Sequence, residues 1–125
     1  LTGDVPLVLV MNLNSSMVWS EIEPSADAIL VSFGGGRTHS ARDEILFEII
    51  AGNYEPSALL PMQQPLDMET VEAQYEDVPR DMDCYVDADG NTYDFTFGLN
   101  WSGVINDERV AKYNVPPIVG TNPLE

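Results

Sequence analysis

Two apolar runs near the start of the chain set its pattern: Leu7 to Met11, continuous and rich in β-branched side chains, and Ala28 to Phe33, AILVSF. Neither alternates, so both read as strands covered on two faces, the habit of parallel sheets. The interval between them opens with Asn14, Ser15 and Ser16, which offer N-cap chemistry, and sets Val18 and Ile22 on one helical face. It closes at Pro24, which keeps Glu23 out of helical geometry. The pattern predicts a helix of about two turns there, and with it a βαβ unit over Val5 to Gly36. Its strands are expected to be parallel, adjacent and joined by a right-handed crossover.

Beyond the glycines Gly34 to Gly36 the period lengthens. Ser40 and Asp43 fit a capping box, Asp43 and Glu44 suit the positive end of a helix dipole, and Gly52 is a natural residue to end on. Ala41, Ile45 and Ile49 share a face with Leu46 and Ile50 beside it, so the spacing predicts a helix from Ser40 to about Ala51 with that stripe in the core. Pro56, Pro61 and Pro65 punctuate NYEPSALLPMQQP and predict an extended segment anchored by Leu59 and Leu60. Asp67 can cap a short helix reaching Tyr75, with Met68, Val71 and Tyr75 as its apolar side. CYVDADGNTYDFTFG alternates about a turn at Asp87 to Asn91, the pattern of a hairpin joining Tyr85 and Val86 to the Tyr93–Phe97 run. GLNWSGVINDERVAKY is irregular apart from a final turn at Asp107 to Lys112, and the PP and NP dipeptides beyond Tyr113 predict a loose tail over 114–125. The fold class expected is α/β: a small open, mainly parallel sheet with flanking helices, followed by an irregular C-terminal region with a hairpin.

Charge changes this picture more than size does. A chain of 125 residues that is 44% hydrophobic can fill one core, but 21 Asp and Glu stand against 5 Lys and Arg, a formal net charge of −16. More than half of the acids fall between Leu66 and Arg109, where Arg80 and Arg109 are the only bases. Repulsion therefore argues against nucleic acid and anionic membrane surfaces as partners. No apolar run approaches the length of a membrane span and the opening LTGDVPLVLV lacks the basic region of a signal peptide, so a soluble chain compatible with the cytoplasm is the expectation. Cys84, the single cysteine, rules out an intrachain disulfide and a Cys-based zinc site within one chain. The abrupt start on a buried strand and the closing Leu124 and Glu125, which read as residues left by cloning, suggest a piece excised from a longer protein.

Candidate chemistry is sparse. The glycine run before a helix fits neither nucleotide-binding spacing, and Asp43 and Glu44 repel an anion there. Asp87, Asp89 and Asn91 open like a calcium loop, but the sixth position is Thr92 and the twelfth Gly98, so a hairpin turn is the simpler reading. His39, the only histidine, sits with Arg37 and Thr38 at the C-terminal edge of the sheet, where open α/β folds bind ligands; a surface loop histidine is the plain alternative. Trp19 and Trp101 have rings that can stack on a sugar, although core packing suits Trp19 better, and Cys84 reads as a small packed side chain. Acid pairs such as Glu21 and Glu23 are unavoidable in this composition and read as solvated faces. No metal and no cofactor are expected.

Four segments together resemble the C-terminal part of the flavodoxin-like sandwich domain of glycoside hydrolase family 3, the β-glucosidase type. PLVLVMNL is similar to that family's PVVVVLN strand, SEIEPSADAILVSFG to SEIEPYADAILVAW, IIAGNYEPSALLPMQQP to FGDYNPSGRLPVTFP, and YDFTFGLNWSGV to YPFGYGLSYT. The resemblance runs over roughly residues 5 to 113, with DMETVEAQYEDVPRDMDCYVDADGNTYDF as an acidic insert. It implies one portion of a C-terminal domain over 1–113, packed on an N-terminal barrel domain of the same protein and lining one side of a carbohydrate pocket. The family's loop after the second strand reads like PGQEGG where this chain has GGGRTHS, and Ala58 and Leu59 replace the Gly and Arg of its SGRLP pattern. The family's nucleophilic Asp belongs to the barrel and its acid/base Glu to a segment before the first strand, so no residue here matches a catalytic motif. Arg37 and His39 are left as substrate-binding candidates at the pocket rim. The rival reading is a stand-alone acidic binding or scaffold module for calcium or a protein partner.

Overall fold

The computed structural model describes residues 3–34, 39–75 and 77–116. In chain order these form β1 (Val8–Leu13), a single 3-10 turn (Glu23–Ser25), β2 (Ala28–Phe33), α1 (His39–Ile50), α2 (Met68–Ala73), β3 (Leu99–Asn100), β4 (Gly103–Val104) and α3 (Glu108–Tyr113). The chain is a small α/β fold with a two-stranded parallel sheet, short helices and a C-terminal hairpin.

β1 and β2 pair in parallel from Val8 against Ala28 to Leu13 against Phe33, as their unbroken apolar runs predict. Asp27 sets the register at its start: its carboxylate accepts the Leu7 N–H at 2.7 Å while its own N–H donates to the Leu7 carbonyl at 2.9 Å.

The helix expected between the strands is absent. The Ser16 hydroxyl donates to the Gln63 carbonyl at 2.6 Å and the Met17 N–H to Gln64 Oε1 at 3.2 Å, so the groups that would cap and start a helix are bound across the chain instead. All that forms is one turn in which the Ile22 and Glu23 N–H groups both donate to the Trp19 carbonyl, followed by the 3-10 turn at Pro24, where the Ser25 N–H donates to the Ile22 carbonyl and the Ala26 N–H to the Glu23 carbonyl.

α1 matches its predicted span and ends as expected, with Gly52 at φ +78° donating to the Ile49 carbonyl at 3.0 Å. Its stripe is not core: Ile45 is 50% and Ile50 46% exposed, and Phe47 is 69% exposed. The physical reason is that nothing substantial covers it, since β1–β2 and β3–β4 are the only element pairs in extended contact among the described residues. In α2 the Asp67 cap forms, accepting the Thr70 N–H at 2.8 Å, but Met68 and Tyr75 of its expected apolar side point largely into solvent, and the helix stops at Ala73. Likewise the region read as irregular after Phe97 holds the β3–β4 hairpin, closed by Gly103 at φ +117°, before Asp107 caps α3. Residues 117–125 of the expected tail lie outside the described residues.

The true centre of packing lies where three segments with little regular structure meet. The Gln64 N–H donates to the Tyr93 carbonyl, the Tyr93 N–H to Tyr85, and the Tyr85 N–H back to Gln64, at 2.9, 2.8 and 3.0 Å. This cycle joins the proline-punctuated stretch to both arms of the Asp87 hairpin, in which Val86 pairs with Thr92. Trp19, only 1% exposed, rests against it, its ring edge-on to Tyr93 at 6.3 Å. Tyr93 in turn meets Tyr85 edge-on and stacks on Phe97 at 5.4 Å.

Candidate functional site

The loop leading from β2 to α1 leaves the sheet at its C-terminal end, as expected for ligand sites of parallel sheets. Arg37 lies outside the described residues, and His39 begins α1 without a described side chain, so the structure places neither against other groups. What it does place at this edge is Ser32, whose hydroxyl lies 3.2 Å from Asn12 Oδ1 across the two strands.

A second cluster was not visible in the sequence. Gln63 and Arg80 line an open hollow of about 440 Å³ that also touches Ser16, Tyr75 and Phe95, and both reach Asp94, with Cys84 against Gln63 and the buried Gln64 next in the chain. Gln64 is 1% exposed because its Oε1 accepts two N–H groups, from Met17 and from Trp19 Nε1 at 2.9 Å; its Nε2 has no partner. Gln63 is used at both ends: Oε1 accepts the Met82 N–H, and Nε2 donates to Asp94 at 3.0 Å and faces Cys84 Sγ at 3.3 Å. Arg80 pairs with Asp94 at 3.3 Å, lies 5.3 Å over the Phe95 ring and donates to the Val115 carbonyl, while its Nε is buried without an acceptor.

Backbone strain gathers at the same place. Arg80 at φ +62° and Thr96 at φ +73° are the positive-φ residues other than glycine among the described residues, each at a cost of roughly 1–3 kcal/mol that the surrounding contacts must offset. In sequence the Gln63–Gln64 pair looks like polar filler between prolines, and no local period singles it out. The only available signal was two adjacent uncharged amides in an otherwise acidic half.

The electrostatics favour holding over proton transfer. Desolvation, with Asp94 beside it, pushes the Cys84 thiol up to about 11. The hydrogen bond that the Tyr85 hydroxyl donates to Glu23 at 2.8 Å, together with burial, raises that phenol to about 12, and burial raises Tyr93 as well. For Asp87 burial works the other way from the outcome: hydrogen bonds from the Asn91 side chain and backbone, the Asp89 N–H and the Tyr93 hydroxyl outweigh it and hold the carboxyl below its usual range. The Asp87 loop thus folds as the hairpin turn, with its first carboxylate spent on the turn itself. Trp101 is 59% exposed at the tip of the β3–β4 hairpin. Cys84, Tyr85 and Tyr93 are thus held in their neutral, protonated forms at neutral pH, and Asp87 as a carboxylate whose oxygens are engaged by the turn.

The chain is similar to Beta-glucosidase C of Emericella nidulans. The two are 30% identical over 79 residues, which make up 63% of this chain and 12% of that protein. This chain therefore spans a small part of its relative's length. No family model matches the sequence, and no solved structure matches it. No helix among the described residues is long and apolar enough to cross a membrane.

Proposed function

We propose that this chain is one portion of the C-terminal sandwich domain of an exo-acting, β-glucosidase-like hydrolase of glycoside hydrolase family 3. The observation that carries the reading is the likeness to Beta-glucosidase C over 79 residues. The architecture supports it physically: a parallel pair of strands and α1 leave Val10, Ile45, Phe47 and Ile50 uncovered, which is the state of a layer parted from its neighbours. In the parent protein those faces pack on further layers and on an N-terminal barrel domain that carries the nucleophile. The β2–α1 loop, with Arg37 and His39, then stands at the rim of the sugar pocket and positions substrate without moving protons.

Glycoside hydrolysis needs two carboxyl groups held across one sugar, about 5 to 5.5 Å apart for retention of configuration, and a lone portion of one domain does not supply that geometry. The test is an assay with a chromogenic aryl β-glucoside. The isolated chain is expected to give no turnover above buffer, the full-length parent to be active, and Arg37→Ala in the parent to raise KM more than it lowers the melting temperature. Turnover by the purified chain that disappears on replacing one of its own carboxylates, or an inactive parent, would overturn the proposal.

A further inference from the structure

We propose that the β3–β4 hairpin is a docking surface for the remaining polypeptide of the parent protein, an inference that rests on the reading of this chain as one portion of a larger hydrolase. The hairpin is firmly rooted. Gly98 packs directly against the Ala58 backbone carbonyl, the Leu60 N–H donates to the Phe97 carbonyl at 2.7 Å, and the Thr96 N–H donates to the Leu60 carbonyl at 2.9 Å. The Ile105 N–H closes the root on the Gly98 carbonyl at 2.9 Å, with its side chain buried. Beyond that root the side chains are in water. Leu99 and Val104 stand directly opposite across the two strands and so share a face, and both are exposed, as is Trp101 at the tip. An indole and two aliphatic side chains on a fixed support make a preorganised apolar anchor, which loses little freedom when it is covered.

Charge and polarity narrow the occupant. Acids are dense from Asp67 to Asp94 and resume at Asp107 and Glu108, yet the run from Phe95 to Asn106 carries no charge. Such a surface has no counter-charge to offer a charged ligand and matches a neutral, apolar protein surface. A sugar requires directed polar groups beside the aromatic ring, whereas Asn100 Oδ1 is taken by the Ser102 N–H at 2.9 Å and the paired face is Leu99 and Val104. A second copy would bring its own formal charge of −16 toward this one. The matched stretch is 12% of Beta-glucosidase C, so most of a parent built like it lies outside this chain. Covalent linkage would hold that polypeptide beside the hairpin at high effective concentration, so a small apolar anchor suffices.

The experiment measures how fast Trp101 is modified by a tryptophan-selective nitrobenzyl sulfonium reagent, read by peptide mass spectrometry in the isolated chain and in the full-length parent. In the isolated chain Trp101 is expected to react roughly tenfold faster than Trp19, and in the parent its rate should fall roughly fivefold or more. Trp101→Lys should speed hydrogen exchange of the hairpin amides in the parent. In the isolated chain, where the ring is already in water, it should leave circular dichroism and exchange around Trp19 unchanged. Equal reactivity of Trp101 in the two proteins would overturn the proposal, as would a Trp101→Lys parent whose hairpin exchanges no faster. Protection that grows with the concentration of the isolated chain would assign the hairpin to a second copy, and protection by cellobiose would assign it to sugar; either result overturns the proposal. The two readings fail separately. An active parent with a reactive Trp101 breaks this inference alone, and a parent inactive on aryl β-glucosides with a protected Trp101 breaks the glycosidase reading alone.

Discussion

β1, β2 and α1 are the most regular part of this chain yet hold no fully buried residue among those described, whereas the stretch from Leu60 to Val104, with one short helix and a hairpin of two-residue strands, supplies most of the groups that enclose Trp19. Regularity and cohesion are thus separated. Strands and helices satisfy their own backbones whether or not a second layer is present, so α1 keeps its ladder while Phe47 faces solvent. The irregular half has no such local solution. Its N–H and C=O groups find partners only by bringing distant segments together, and the Gln64–Tyr93–Tyr85 cycle does this around one indole.

The contrast can be broken most severely at Trp19. Trp19→Ala should cost about 3–5 kcal/mol in urea denaturation, since it empties the centre of the cluster and takes from Gln64 Oε1 the indole N–H that donates to it at 2.9 Å. A loss below about 1 kcal/mol would show that the irregular half coheres by other means. Next, Tyr85→Phe removes the phenol bound to Glu23 and should cost about 1.5–3 kcal/mol at neutral pH. The folded pKa of Tyr85 is raised, so this contribution is complete below pH 10.0 and is lost as pH climbs toward about 12. The alkaline fall in stability should accordingly be shallower in Tyr85→Phe, with the share due to Tyr93 remaining. An unchanged alkaline profile would sever the phenol from stability.

Gly98→Ala probes how closely the irregular segments approach. A methyl group there meets the Ala58 carbonyl oxygen and the Leu59 side chain, and the expected loss in thermal or urea unfolding is about 1–3 kcal/mol. Smallest of all should be Ile45→Ala, under about 0.5 kcal/mol in this chain because half of the side chain is already in water. In the proposed parent the same change should cost about 2–5 kcal/mol if the missing layers cover α1. Equal small losses in both would leave the stripe of α1 uncovered in either setting.

What the sequence revealed follows the same divide. The strands and their parallel pairing were legible because continuous β-branched runs admit few other placements, and the Asp67 cap, the final turn from Asp107 and the Asp87 turn because each is a local event within a few residues. The crossover helix failed because Ser16 and Met17 chose Gln63 and Gln64, partners 47 residues away that no window of local pattern contains. The stripe of α1 was read correctly as a face and wrongly as buried, since periodicity gives the direction of a face and says nothing of what lies opposite. The β3–β4 hairpin carried a usable sign in Gly103, ending NWSG between two apolar residues. Gln64 offered only its pairing with Gln63, its value lying in where its side-chain amide oxygen sits in space.

Cys84 gives this architecture a built-in clock. With its thiol pushed up to about 11 and its sulfur against the Gln63 amide, almost none of it is thiolate at neutral pH, and alkylating reagents will meet an unresponsive native chain. Each time the Pro65–Cys84 contact parts, that protection ends. The speed at which a maleimide dye marks the unmodified protein therefore times the momentary separations of the segments around Trp19, with no engineered label required.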